Sequence, residues 1–146
     1  MTYTSDTEIE RITRGLADRT LPVAEWTHAA HFAAALWLVA AGYEAAQRDM
    51  PGMIRAYNES VGGVNSDTEG YHETITQASL RAARFRLDSS VPGTPMHLVH
   101  RDLMAGECGQ SGWLLAYWSK PVLFSAEARR GWVEPDLQPL PFDLQA

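Results

Sequence analysis

A chain of 146 residues, 45% apolar and 21% charged, carries enough hydrophobic material for one core and excludes global disorder. Twelve basic against eighteen acidic side chains leave a formal charge of −6, which argues against a nucleic-acid partner held through phosphates and against an anionic membrane surface. The single cysteine, Cys108, excludes an internal disulfide framework and a cysteine-rich zinc site.

The chain starts with the polar run Met1-Thr2-Tyr3-Thr4-Ser5-Asp6, which lacks the basic and apolar regions of a signal peptide. Ser5 and Glu8 then have the spacing of a capping box, and Ile9, Ile12 and Leu16 recur at helical spacing, predicting a first helix to about Asp18. Beyond Leu21-Pro22 a long helix is expected from near Val23 to about Asp49, broken by Pro51-Gly52. Its middle, Ala29 to Ala41, is apolar on every side, which places it at the centre of the fold. That stretch is too short to span a bilayer, and a cytoplasmic location is expected.

A third helix is expected from Pro51 to about Val61, with Met53, Ile54 and Tyr57 on one side. The turn-rich segment Gly62–Gly70 follows and is a candidate pocket wall. A fourth helix is expected from near Tyr71 to about Leu87, and a fifth begins at Thr94-Pro95 and closes at Gly106. Trp113 to Trp118 forms a sixth apolar segment, and Ser125 is placed to cap a last short turn through Arg130. The prolines of the tail, Pro135, Pro139 and Pro141, predict an extended strap packed through Leu137, Leu140 and Phe142. No strand alternation appears. The fold expected is a single all-α domain over residues 1–146, a bundle of about five to six helices with a central apolar helix.

Chemistry concentrates in the histidines. Glu25, His28 and His31 are spaced three apart, the interval that aligns side chains on one helix face. His72 starts another helix on the side of Ile75 and Ser79. Three imidazoles from facing helices would hold a divalent transition metal (zinc, iron or nickel) and leave a position open for water or substrate. Glu25 or Glu73 would then act as catalytic carboxylate, orienting a ligand or moving a proton. His97 and His100 repeat the spacing but are expected at the surface. Arg81, Arg84 and Arg86 are a weaker candidate for collecting an anion.

Trp26-Thr27-His28-Ala29-Ala30-His31 and Gly70-Tyr71-His72-Glu73-Thr74 resemble an uncharacterised family of small bacterial all-α proteins that pairs Trp-Thr-His-x-Ala-His with Gly-Tyr-His-Glu-Thr. Leu123 to Arg129 and Glu134-Pro135-Asp136-Leu137 are similar to the same group. The resemblance implies a helical fold and draws attention to His28, His31 and His72, without supplying an activity. Two functions are therefore expected in competition. One is a small metal-dependent enzyme acting on a small organic molecule. The other is a metal-free helical domain that binds a hydrophobic small molecule or a partner protein. Trp113, Tyr117 and Trp118 raise the further expectation of a homodimer face.

Overall fold

A computed structural model describes residues 3–142, and everything below concerns those residues. The fold is all-α. Helix α1 (Asp6–Asp18) starts where Ser5 accepts a hydrogen bond from the Glu8 N–H, as the capping spacing predicts. The Glu8 carboxylate reaches back past Ser5 to the main-chain N–H and hydroxyl of Thr4. Ile9, Ile12 and Leu16 bury one face of α1.

The expected long helix from Val23 to Asp49 is instead three pieces. Val23–Glu25 is a short 3₁₀ turn, and α2 (His28–Ala41) begins only at the Thr27 cap, whose hydroxyl accepts from the Ala30 N–H. The chain then breaks at Gly42, not at Pro51, and α3 (Tyr43–Ser60) runs straight through Pro51. An interior proline withholds the N–H that the fourth preceding carbonyl requires. Here that carbonyl, on Gln47, accepts from the side-chain amide of Gln77 at 3.3 Å, so tertiary packing supplies the missing donor. Gly42, by contrast, has an extended backbone that ends the helical run of α2.

Helix α2 is the axle of the bundle. Ala30, Phe32, Ala33, Ala34, Ala35, Leu36 and Val39 are buried, and α1, α3, α4 (Glu73–Ser89) and α5 (Met96–Ala105) all pack on it. Its alanines are what allow four neighbours to approach one helix closely. Helix α5 is capped across the fold: the Asp6 carboxylate accepts from both the main-chain N–H and the ring Nδ1 of His97.

The last quarter of the described chain is mostly irregular but deeply used. A 3₁₀ turn (Glu107–Gly109), a second (Trp113–Ala116) and the short helices α6 (Lys120–Leu123) and α7 (Ala126–Arg130) close one end of the bundle. Ser125 caps α7, accepting from the Ala128 N–H, as its position predicts. Trp118 is fully buried and donates its indole N–H to the Val133 carbonyl at 2.9 Å. Within the tail, Leu140 is buried and Phe142 packs against Phe85 and Trp113, but Leu137 is 57% exposed, correcting its expected role. Its main-chain N–H, not its side chain, makes the attachment, donating to the Tyr117 carbonyl. Trp113, Tyr117 and Trp118 are all buried within the chain, so the aromatic surface from which a homodimer was expected is spent on the core. None of the described helices is long and apolar enough to cross a membrane.

Candidate functional site

The five histidines go to five different environments. The Thr27 cap makes His28 the first residue of α2 and leaves Glu25 outside it, so the expected Glu25–His28–His31 stripe does not form. Glu25 turns outward to an ion pair with Arg11 at 2.8 Å. His28 donates its Nε2–H to the Cys108 carbonyl at 2.7 Å, tying the start of α2 to the turn after α5. His72 is not on the helix face but caps α4. Its Nδ1 accepts from the Ile75 N–H at 3.2 Å, which leaves Nε2 protonated to donate to the Leu123 carbonyl at 2.7 Å. Both ring nitrogens are thereby committed, and neither lone pair is free for a metal.

His28, His31 and His72 are not brought together as a ligand set. Among the described residues, no group of three or more His, Cys, Asp and Glu side chains is placed to hold a metal ion. Glu73 is held by the Tyr71 hydroxyl and by Gln77 Nε2, and so braces the first turn of α4. His100, expected at the surface, is fully buried, stacks against Tyr3 and donates Nε2–H to the Ala29 carbonyl. The i,i+3 spacing did not reveal this, because the partner carbonyls lie 71 and 80 residues away in sequence.

His31 alone keeps its ring nitrogens without a hydrogen-bond partner among the described residues. Its ring packs against Trp26 and Phe32 and lines a cleft of about 430 Å³. Trp26, Ile54, Val61, Tyr71 and Ile75 supply the apolar walls, and Asn58, His72 and Thr76 the polar ones. Burial, with a smaller contribution from the neighbouring His28, lowers the His31 pKa to about 4. The imidazole is therefore neutral at pH 7, with one donor and one acceptor nitrogen. Burial also lowers the His72 pKa.

Of the Gly62–Gly70 loop, Gly63 and Gly70 line this cleft. Asn65 holds the loop in place: its side-chain oxygen accepts from the Tyr71 N–H and from Asn58, and its amide donates to the Arg55 carbonyl and to Glu59. Gly70 has φ +82°, and a Cβ there would stand 2.2 Å from the Val64 carbonyl oxygen, so only glycine closes the loop. Asn65 anchors the loop, and an Asn between Val64 and Ser66 in a turn-rich segment was the signal for it.

Arg84 stacks on the Tyr43 ring and Arg81 on the Trp132 ring, so two of the three arginines of α4 are engaged by aromatic faces, whereas the Nε of Arg86 is buried without a hydrogen-bond partner among the described residues. Cys108 is buried, and burial together with Glu107 pushes its thiol pKa up to about 12. Comparison with protein families, with curated proteins and with solved structures finds no match to this chain.

Proposed function

We propose that the protein is a binding domain whose cleft between α2, α3 and α4 takes a small, mainly apolar molecule. The neutral imidazole of His31 hydrogen-bonds the one polar group of that molecule. The observation that carries the reading is the pairing of an unpartnered, neutral, half-buried histidine with an apolar-walled cleft. Sites of this kind join hydrophobic walls to a few placed polar groups. Trp26 and Tyr71 offer flat faces, and Ile54 and Ile75 offer methyl groups, so an aromatic or branched aliphatic body fits the lining.

The competing expectation, a metal-dependent enzyme, would require His72 to abandon at least one of two hydrogen bonds that fix the start of α4. It would also require His28 to leave Cys108. The residues present do not fit a three-histidine centre. A histidine with a pKa of about 4 is also a weak proton acceptor at neutral pH, where general bases work best with a pKa near the ambient value.

A methyl- and imidazole-detected NMR titration with a panel of small aromatic and aliphatic alcohols, amides and acids tests the reading. The expected result is saturable shifts at Ile54, Ile75 and the His31 ring, weakened about tenfold in His31→Phe for ligands with a polar group. Zinc added to the same sample should leave the His31 and His72 rings unchanged. Absence of shifts across the panel would remove the binding reading, and broadening of both rings by stoichiometric zinc would restore the metal centre.

A further inference from the structure

A second hollow of about 170 Å³ shares Tyr71 with the apolar cleft. Arg55 from α3, Arg129 and Arg130 from α7, and Asn65, Ser66, Asp67 and Tyr71 line it. In a chain of net charge −6 with only 12 basic residues, three arginines around one small hollow are a marked concentration of positive charge.

Their engagements differ. Arg130 is neutralised: its guanidinium meets both carboxylate oxygens of Asp67. Arg129 donates Nη1 to the Gly70 carbonyl at 3.0 Å and so holds the loop, but its Nε is buried with no hydrogen-bond partner. Arg55 lies over the Tyr71 ring, 4.3 Å from its centroid. Neither Arg55 nor Arg129 forms an ion pair among the described residues. Of the nearby acids, Asp67 is taken by Arg130, Glu59 accepts from the Asn65 amide, and Glu127 acts on Arg130.

We propose that this hollow is a binding site for a small oxyanion, a carboxylate or a phosphate group, held between Arg55 and Arg129. Bracing the loop accounts for Arg129 Nη1, and stacking accounts for the face of Arg55. Neither accounts for the idle Nε of Arg129 or for two uncompensated charges at one place. Planar guanidinium forks match groups that present two oxygens, and such charge-assisted hydrogen bonds are about twice as strong as neutral ones. The volume admits the anionic head of a molecule and little more. The site stands independently of the apolar cleft, with which it shares Tyr71 as a wall.

The test is an amide and arginine Nε–H NMR titration with inorganic phosphate and, separately, acetate, at constant ionic strength. One or both anions should give saturable shifts at Ser66, Tyr71 and the Arg129 Nε–H, with a dissociation constant on the order of 1–10 mM. Arg55→Gln, at an exposed side chain without an ion pair, should keep the fold and weaken binding about tenfold. Arg55→Lys, which keeps the charge and loses the fork, should fall between, and Arg101→Gln on α5 should change nothing. Which anion binds more tightly decides between phosphate and carboxylate. Shifts that rise linearly without saturating, or binding unaffected by Arg55→Gln, would overturn the proposal.

Discussion

The side-chain amide of Gln77 donates to the main-chain carbonyl of Gln47, the carbonyl that Pro51 leaves without its helical donor. One side chain on α4 thus repairs the hydrogen-bond ladder of α3. Removing it leaves a part-buried acceptor unpaired, and Gln77→Ala is expected to cost about 1–2 kcal/mol in urea unfolding. Pro51→Ala restores the local donor. In that background the penalty of Gln77→Ala should shrink by at least half, and a double-mutant cycle measures the difference. Equal penalties in both backgrounds would show that Gln77 acts elsewhere.

His72 does two jobs with two nitrogens, so substitutions should separate them. Asparagine retains the capping acceptor and loses the reach to Leu123. His72→Asn is expected to cost about 1–2 kcal/mol, and His72→Phe more, because both the cap and the carbonyl partner go. Chemical denaturation of the two variants ranks them. A His72→Phe protein as stable as His72→Asn would mean that the cap contributes nothing.

His31 makes stability depend on pH. Its folded-state pKa of about 4 lies below the ordinary value of 6.5, so between these values the unfolded chain binds the proton more readily. Stability from this group is complete above about pH 6.5 and falls as the pH drops toward 4, flattening below that. At about 1.4 kcal/mol per pKa unit the full loss is on the order of 3 kcal/mol. His72 and His100, also lowered chiefly by burial, add in the same direction. Unfolding free energies of the parent and His31→Phe between pH 7 and pH 4 should diverge, with the variant less steep. Parallel curves would contradict the assignment.

Cys108 should resist alkylation. A buried thiol with a pKa near 12 presents almost no thiolate at pH 8. Labelling by a maleimide is expected only at the rate of unfolding, and to accelerate in step with urea. Rapid stoichiometric labelling of the native protein would place the sulfur at the surface.

Local signals carried well. Ser5, Ser125 and the apolar Ala29–Ala41 run act through the hydrogen bonds and burial that their sequence neighbourhood predicts. Errors arose where a distant group altered a local rule. Pro51 reads as a helix breaker until Gln77, 26 positions on, supplies a donor. Thr27 looks like one more residue of a long helix until its hydroxyl is seen to start α2 afresh. The same blindness governed the site. Spacing put Glu25, His28 and His31 on one face, but the Cys108 and Leu123 carbonyls, invisible to any local pattern, decide where His28 and His72 point. What remained legible was His31 as a residue of interest; its neutrality follows from burial, which a linear sequence does not display.

The C-terminal segment has a consequence for biosynthesis. Trp118, Leu123 and Leu140 complete the core, and His72 and Thr74 at the start of α4 reach Leu123 and Gly131, more than 50 residues downstream. A ribosome delivers these residues after all five long helices. Until then a nascent chain carries the apolar faces of α2 and α4 without their final cover, and the cap of α4 is half made. Closure is accordingly a late and non-local step, of the kind that is slow because distant segments must first meet. A chain stalled after α5 leaves those apolar faces in water, and the irregular C-terminal segment is the latch that covers them.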